Sequence, residues 1–143
     1  MTNPTLNKEY KILIAEDDPG IQHLYQRLLA PFASLTILSN GKKAQEALVH
    51  SQDYDLIITD NNMPHLTGLE LLASLPQTIT IPRLMISATA DNHELHHNVR
   101  LHGALGLYQK PFNCINEFRA ITTELLQHGH SPTLHAYFEQ KYN

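Results

Sequence analysis

The sequence predicts an α/β fold, an open, doubly wound parallel sheet of five strands with helices on both faces. Its apolar runs are short and do not alternate with polar residues, which is typical of strands covered on both faces. Each run is followed by a helical segment, and this alternation favours a parallel sheet with right-handed crossovers. A chain of 143 residues, 42% hydrophobic and 17% charged, is long enough for one domain with a real core.

The first half of the chain contains three strand–helix units. Asp18 is the predicted N-cap of the first helix, and Pro19 occupies its favoured first position. Thr67 and Glu70 form a capping box at the start of the third helix. The predicted strands of this half lie at 11–15, 35–38 and 55–60, and the helices end near residues 31, 50 and 75.

The second half contains two more units. A strand at 84–87 precedes a helix that opens with Asp91 and Glu94 as a capping box and stops near Gly103. A strand at 105–109 is broken by Pro111, and Asn113 caps a last helix that runs to about residue 127. We expect an N-terminal arm at 1–10, one domain at 11–128 and a tail at 129–143.

The tail carries the apolar residues of a short docked helix. Ser131 is a suitable N-cap and Pro132 a suitable first residue. An aromatic stripe of this size favours docking on the domain or on a partner, and a frayed terminus is the alternative. The stripe consists of Leu134, Tyr137, Phe138 and Tyr142.

Composition excludes several classes of protein. The formal charge of −4 argues against a nucleic-acid binder, which needs a basic face. No apolar run approaches the length of a membrane span, and residues 1–10 lack the pattern of a signal peptide. A single cysteine, Cys114, suits a reducing compartment, so we expect a cytoplasmic protein without membrane contacts.

Polar side chains gather at the carboxyl ends of the predicted strands, where open α/β sheets place their binding sites. The set consists of Glu16, Asp17, Asp60, Ser87 and Lys110. Carboxylates brought close together repel one another, and the single positive charge of Lys110 neutralises only part of this repulsion. Mg²⁺ neutralises it better, because it prefers oxygen ligands and uses one or two carboxylates. A third carboxylate can then act as a nucleophile towards a phosphoryl group.

Four motifs together identify a resemblance that no single one would support. They are ILIAEDDP at 12–19, DLIITDNNMPHLTG at 55–68, ISA at 86–88 and QKPF at 109–112. From about Lys11 to Gln127 the chain resembles the receiver domain of two-component response regulators, of the stand-alone chemotaxis type. The resemblance implies a flavodoxin-like sheet with strand order 2-1-3-4-5.

The resemblance also assigns roles to residues. It implies that Asp60 is the phosphoacceptor, which becomes an aspartyl phosphate, and that Ser87 and Lys110 contact the phosphoryl group. It implies Mg²⁺ as the cofactor, and Asn62 and Thr89 occupy positions that tune the lifetime of the phosphoryl group. The implied Mg²⁺ ligands are Glu16, Asp17, Asp60 and the backbone carbonyl of Asn62.

The implied function is signalling, not catalysis beyond slow self-phosphorylation and self-dephosphorylation. The phosphoryl donor would be a sensor histidine kinase or a histidine phosphotransferase, and an unknown downstream protein would read the signal. The surface for partners, or for a homodimer, would consist of the 91–102 helix, the fifth strand and the last helix. One departure concerns this surface: Leu107 stands where receivers usually have an aromatic residue, and Tyr108 would point to the opposite face.

Three alternatives remain open. The chain could be a pseudo-receiver that binds partners without being phosphorylated, or a piece of a larger regulator or hybrid kinase; its short tail favours a stand-alone receiver. The third alternative is a zinc protease, since residues 93–97 match H-E-x-x-H, with His93 and His97 as ligands and Glu117 as a third. We favour an exposed histidine face instead, because Leu95, Val99 and His102 are the predicted inward stripe.

Overall fold

The computed structural model describes residues 9–88, 92–109 and 114–142. The strands in these ranges are β1 (Tyr10–Ala15), β2 (Ala33–Leu38), β3 (Leu56–Asp60), β4 (Arg83–Ser87) and β5 (Leu107–Gln109). The helices are α1 (Pro19–Leu29), α2 (Gly41–His50), α3 (Gly68–Ser74), α4 (His93–Leu101), α5 (Ile115–His128) and α6 (Pro132–Tyr142). Among the described residues, every helix is too short or too polar to span a bilayer.

The five strands form one parallel sheet in the order β2-β1-β3-β4-β5, which confirms the predicted fold. β3 is buried along its whole length, as its unalternating sequence predicts. Successive residues of β3 face opposite sides of the sheet, so Ile58 and Ile57 enter different hydrophobic clusters. The sheet therefore has a core on each face.

Helices cover both faces. The core under α1 and α5 contains Tyr25 and Phe118, and α2 and α3 cover the opposite face with Leu48 and Leu71. A third cluster joins α3, α4 and β5 through Leu72, Met85, Val99, Ala104 and Leu107. Leu107 and Tyr108 lie on opposite faces, as predicted, because Tyr108 belongs to the α1–α5 core.

Local capping follows the sequence at α1 and α3. The Asp18 side chain accepts a hydrogen bond from the Gly20 N–H, and Thr67 and Glu70 form both bonds of a capping box. Two other predicted caps are wrong by one residue. Asn92 caps α4 and Cys114 caps α5, whereas Asp91 and Asn113 lie outside the described residues.

The predicted inward stripe of α4 is also partly wrong. Val99 is fully buried and Leu95 is half-buried, but His102 is exposed and His96 takes the inward position. His102 is the C-cap residue, with φ −98° and ψ 21°, so its side chain does not continue the helical stripe. The consequence is a buried histidine next to β5.

Candidate functional site

Three carboxylates meet at the carboxyl edge of the sheet. Glu16 and Asp17 directly follow β1, and Asp60 is the last residue of the adjacent strand β3. Each offers an oxygen atom within 4.8 Å of the others, and in the ranges the structure covers this is the group of three that could hold a metal ion. Glu16 is fully buried, Asp60 is 5% exposed and Asp17 is exposed. The sheet topology alone brings these distant residues together.

Hydrogen bonds with β2 and with the start of α1 hold Glu16 in position. The Glu16 carboxylate accepts a hydrogen bond of 3.1 Å from the Asp18 N–H, and its backbone carbonyl accepts one of 2.6 Å from the Gln22 side chain. The Glu16 N–H donates to the Leu38 carbonyl at 2.9 Å. Glu16 is therefore fixed from both β2 and α1.

The loop between β3 and α3 is folded back under Asp60. The Asn61 side-chain oxygen accepts a hydrogen bond from the Leu69 N–H at 3.1 Å, and the Asn61 carbonyl accepts one from the Gly68 N–H at 3.0 Å. A Cβ atom on Gly68 would lie 2.3 Å from the Asp60 carbonyl oxygen, so only glycine allows this approach. The sequence indicated only a loop at Asn61, because its contacts with Gly68 and Leu69 appear only when the loop closes.

Ser87 ends β4 and is fully buried. Asp60 pairs in register with Ile86, so Ser87 lies one residue further along the neighbouring strand. On its other side Ser87 pairs in register with Gln109 of β5. Asn62 is exposed, and Lys110 and Thr89 lie outside the described residues.

Tyr25 of α1 is a neighbour of the acids that sequence reasoning missed. Its side chain is completely buried, and burial together with the negative charges of Glu16 and Asp60 raises the pKa of the phenol well above its usual range. Tyr25 therefore stays neutral next to the cluster. The helical stripe placed Tyr25 in the core, but no local pattern indicated which strand ends it approaches.

The donor set fits a hard divalent cation. All three ligands are carboxylates, and two of them lie almost entirely out of contact with water. Unneutralised carboxylates at this spacing raise the free energy of the folded protein, and Mg²⁺ with its preference for oxygen ligands relieves the repulsion.

The histidines of α4 are arranged differently. His93 and His97 are exposed, as predicted, and the His93 ring makes an edge contact with Tyr142 at 5.3 Å between centroids. The Glu117 carboxylate accepts a hydrogen bond of 2.6 Å from the Tyr108 hydroxyl. In the described ranges His93, His97 and Glu117 do not form a group with metal-ligand spacing.

Comparison with known proteins agrees with the geometry. A sequence model of the response regulator receiver domain matches residues 12–122. The chain is 30% identical over 115 residues to the chemotaxis protein CheY-3 of Vibrio cholerae. The aligned region covers 75% of this chain and 85% of that protein.

Two further relatives are much longer proteins. One is the 3',5'-cyclic-nucleotide phosphodiesterase regA of Dictyostelium discoideum, 33% identical over 106 residues, which are 71% of this chain and 13% of that protein. The other is the probable C4-dicarboxylate response regulator DctR of Bacillus subtilis, 27% identical over 108 residues, which are 73% of this chain and 47% of that protein. The chain thus spans less than half of each of these two relatives.

Solved structures share the same fold. The receiver domain of a Francisella response regulator is 30% identical, with a TM-score of 0.70 over 83% of this chain and 97% of that chain. The chemotaxis response regulator CheY4 of Vibrio cholerae is 25% identical, with a TM-score of 0.71 over 83% of this chain and 99% of that chain. The acidic cluster, the strand order and these matches lead to one conclusion: the chain belongs to the response regulator receiver domain family, the signalling modules of two-component systems.

Proposed function

We propose that this protein is a phosphoacceptor that receives a phosphoryl group on Asp60 from a phosphohistidine. The donor is a sensor histidine kinase or a histidine phosphotransferase. The observation that carries the proposal is the convergence of Glu16, Asp17 and Asp60, with Asp60 on the central strand β3. Receiver domains usually bind a divalent metal at such an acidic cluster, and they interact with kinases or phosphotransfer proteins and with downstream effectors.

The transfer needs a nucleophile and neutralisation of charge, and no strong base. A carboxylate oxygen of Asp60 attacks the phosphorus, a P–O bond forms, the P–N bond to the donor imidazole breaks, and the imidazole leaves with a proton. Ser87, at the end of the neighbouring strand, donates a hydrogen bond from its hydroxyl to a phosphoryl oxygen. We assign Lys110 as the fixed cation, and Asn62 and Thr89 as the residues that set the lifetime of the aspartyl phosphate.

Glu16, Asp17, Asp60 and the Asn62 backbone carbonyl are the residues that would hold Mg²⁺. When bound, the ion supplies positive charge that neutralises the phosphoryl oxygens. The buried Glu16 carboxylate is oriented by the Asp18 N–H, and Asp17 lies exposed beside it. These two acids therefore supply ligands, while Asp60 keeps an oxygen for the attack.

We further propose that residues 11–128 act as a cytoplasmic receiver and that 129–143 form a tail that carries α6. Turnover would be limited to slow self-phosphorylation and self-dephosphorylation. Its output would be a protein contact or a homodimer through α4, β5 and α5. A pseudo-receiver and a segment of a larger regulator or hybrid kinase are the competing proposals.

The test is incubation of the full chain with acetyl phosphate and Mg²⁺, followed by intact-mass measurement. We expect the mass of one phosphoryl group to be added, and we expect chelation of Mg²⁺ or Asp60→Asn to abolish it. Asp53→Asn is the matched control, because Asp53 is an exposed aspartate that pairs with Lys11 near the opposite end of β1. A wild-type chain that gains no mass, or an Asp60→Asn chain that still gains it, would contradict the assignment.

A further inference from the structure

Helix α6 covers the outer edge of β5. In the described part of the chain β5 is the last strand of the sheet, so its outer backbone groups have no neighbouring strand. The Tyr142 hydroxyl donates a hydrogen bond of 2.9 Å to the Leu107 carbonyl, and the Gln109 N–H donates one of 3.2 Å to the Tyr137 hydroxyl. The Leu107 N–H donates to His96 Nδ1 of α4 at 3.2 Å. Side chains thus bind backbone groups that an adjacent strand would otherwise bind.

The surface of the domain beneath α6 accommodates aromatic rings. The Tyr142 ring stacks on His96 with 3.7 Å between centroids and an interplanar angle of 10°. A Cβ atom on Gly106 would lie 2.4 Å from the Phe138 ring, so glycine makes the room that Phe138 occupies. Leu134 is the buried residue of α6, and Tyr137 and Phe138 are partly buried.

The first turn of α6 is tied to α5 by a separate set of bonds. The Glu124 carboxylate accepts hydrogen bonds from the Ser131 hydroxyl at 2.6 Å, the Thr133 N–H at 3.1 Å and the Thr133 hydroxyl at 2.7 Å. Gly129 connects the two helices in a left-handed conformation, with φ 76°. The end of α6 that contacts β5 can therefore leave while its first turn stays on α5.

The strands of the receiver fold and the family match lie before α6 in the chain. The family match ends at residue 122, before α6 begins. The Francisella receiver domain is matched over 97% of its own length by 83% of this chain. All five strands pair with one another without a backbone contribution from α6.

We propose that α6 is a detachable intramolecular ligand of the β5 edge, which a partner helix with tyrosines at the same spacing replaces. Two phenol hydroxyls on consecutive turns bind the Leu107 carbonyl and the Gln109 N–H, and a phenylalanine fills the space over Gly106. Any partner for this edge must displace α6, because both contacts use the same backbone atoms. This inference goes beyond phosphorylation and does not require it.

The test is residue-resolved amide hydrogen exchange on the full chain. In the wild type we expect the amides of 137–142 and Gln109 to exchange through an opening that leaves β1 and β3 protected. In the double variant Tyr137→Phe/Tyr142→Phe only two hydroxyls are lost, and exchange at these amides should rise roughly tenfold while β1 and β3 stay unchanged. Gln140→Ala, at an exposed position of α6, is the control and should change neither.

The second arm uses a free peptide with the sequence of residues 131–142. At about 1 mM, near the effective concentration of a tethered helix, it should bind the double variant and restore protection of the Gln109 amide. The same peptide with both tyrosines replaced by phenylalanine should not. The proposal is overturned if α6 and β3 exchange together in every variant, or if the tyrosine peptide fails to bind the double variant.

Discussion

At the scale of single residues, Gly68 is a position in the site where the backbone leaves no space for a side chain. A Cβ there would meet the Asp60 carbonyl oxygen at 2.3 Å and the Met85 side chain at 2.9 Å, and the first neighbour is backbone that cannot move freely. We expect Gly68→Ala to lower the free energy of unfolding by about 1–3 kcal/mol, as overpacking does. Denaturant unfolding measures it, and Gly20→Ala in the first turn of α1, where the nearest atom is 3.3 Å away, is the control. Equal stabilities of the two variants would show that the loop relaxes.

His96 gives the protein a pH dependence of stability. Burial, followed by the charges of Arg100, His93 and His97, lowers the pKa of His96 from 6.5 to about 4. His96 is therefore neutral when folded, which its hydrogen bond from the Leu107 N–H requires. In the unfolded chain it takes up a proton near pH 6.5. The stabilisation is thus complete above pH 6.5 and is lost as the pH falls towards 4.

The measurement is the denaturant midpoint between pH 7.5 and 5 for His96→Gln and, as a control, for His23→Gln at an exposed position of α1. Glutamine can accept a hydrogen bond from the Leu107 N–H, but it does not titrate. The denaturant midpoint of His96→Gln should therefore fall less over this pH range than that of the wild type. His23→Gln should keep the wild-type slope. A His96→Gln chain with an unchanged slope would mean that other groups cause the loss of stability in acid.

At the scale of elements, Glu124 is the link between α5 and α6. Burial alone would raise its pKa, but the hydrogen bonds from Ser131 and Thr133 outweigh burial and lower it. The stabilisation is therefore present above the usual glutamate pKa and is lost as the pH falls through the lowered value. We expect Glu124→Gln to destabilise α6 by about 1 kcal/mol, the scale of one net hydrogen bond.

Circular dichroism and amide exchange of α6 would check this effect. Glu139→Gln is the control, because Glu139 forms an exposed pair with His135 within α6 itself. Exposed pairs of this kind contribute little to stability. If Glu124→Gln and Glu139→Gln loosen α6 equally, the carboxylate of Glu124 is not what holds the two helices together.

At the scale of the whole molecule, Gln109 connects the proposed phosphorylation site to α6. It pairs in register with Ser87, and on its other side it binds Tyr137 through its N–H and Lys141 through its side-chain oxygen at 2.9 Å. We expect beryllofluoride with Mg²⁺, which mimics the phosphoryl group, to speed amide exchange in α6 several-fold. Asp60→Asn should abolish the effect.

Reciprocity supplies the check on that coupling. If the mimic loosens α6, then opening α6 with Phe138→Ala must tighten binding of the mimic, by at most the factor by which the mimic favours the open state. Gln140→Ala should leave its affinity unchanged. Beryllofluoride that binds through Asp60 without any change in α6 would show that the ends of β5 respond independently, and absence of binding would instead count against phosphorylation of Asp60.

Local sequence determined the five strands, their order of appearance and several helix starts. An unalternating run such as that of β3 specifies a strand buried on both faces, and Asp18, Thr67 and Glu70 specify caps, because each of these signals is complete within a few residues. The position of Asp60 at the end of β3 follows from the same local pattern. Where two neighbouring residues can cap equally well, as at Asp91 and Asn92, local chemistry did not choose.

Only the tertiary structure decided which distant residues meet. It placed Tyr25 next to Glu16 and Asp60, turned His96 rather than His102 inward, and seated Phe138 in the space left by Gly106. Each of these contacts depends on how helices pack against the sheet, which the periodicity of a single segment does not encode. The docking of α6 on β5 is the clearest case, because the tyrosine hydroxyls bind backbone atoms. Backbone donors and acceptors are nearly the same at every residue, so the sequence does not indicate which of them a side chain will bind.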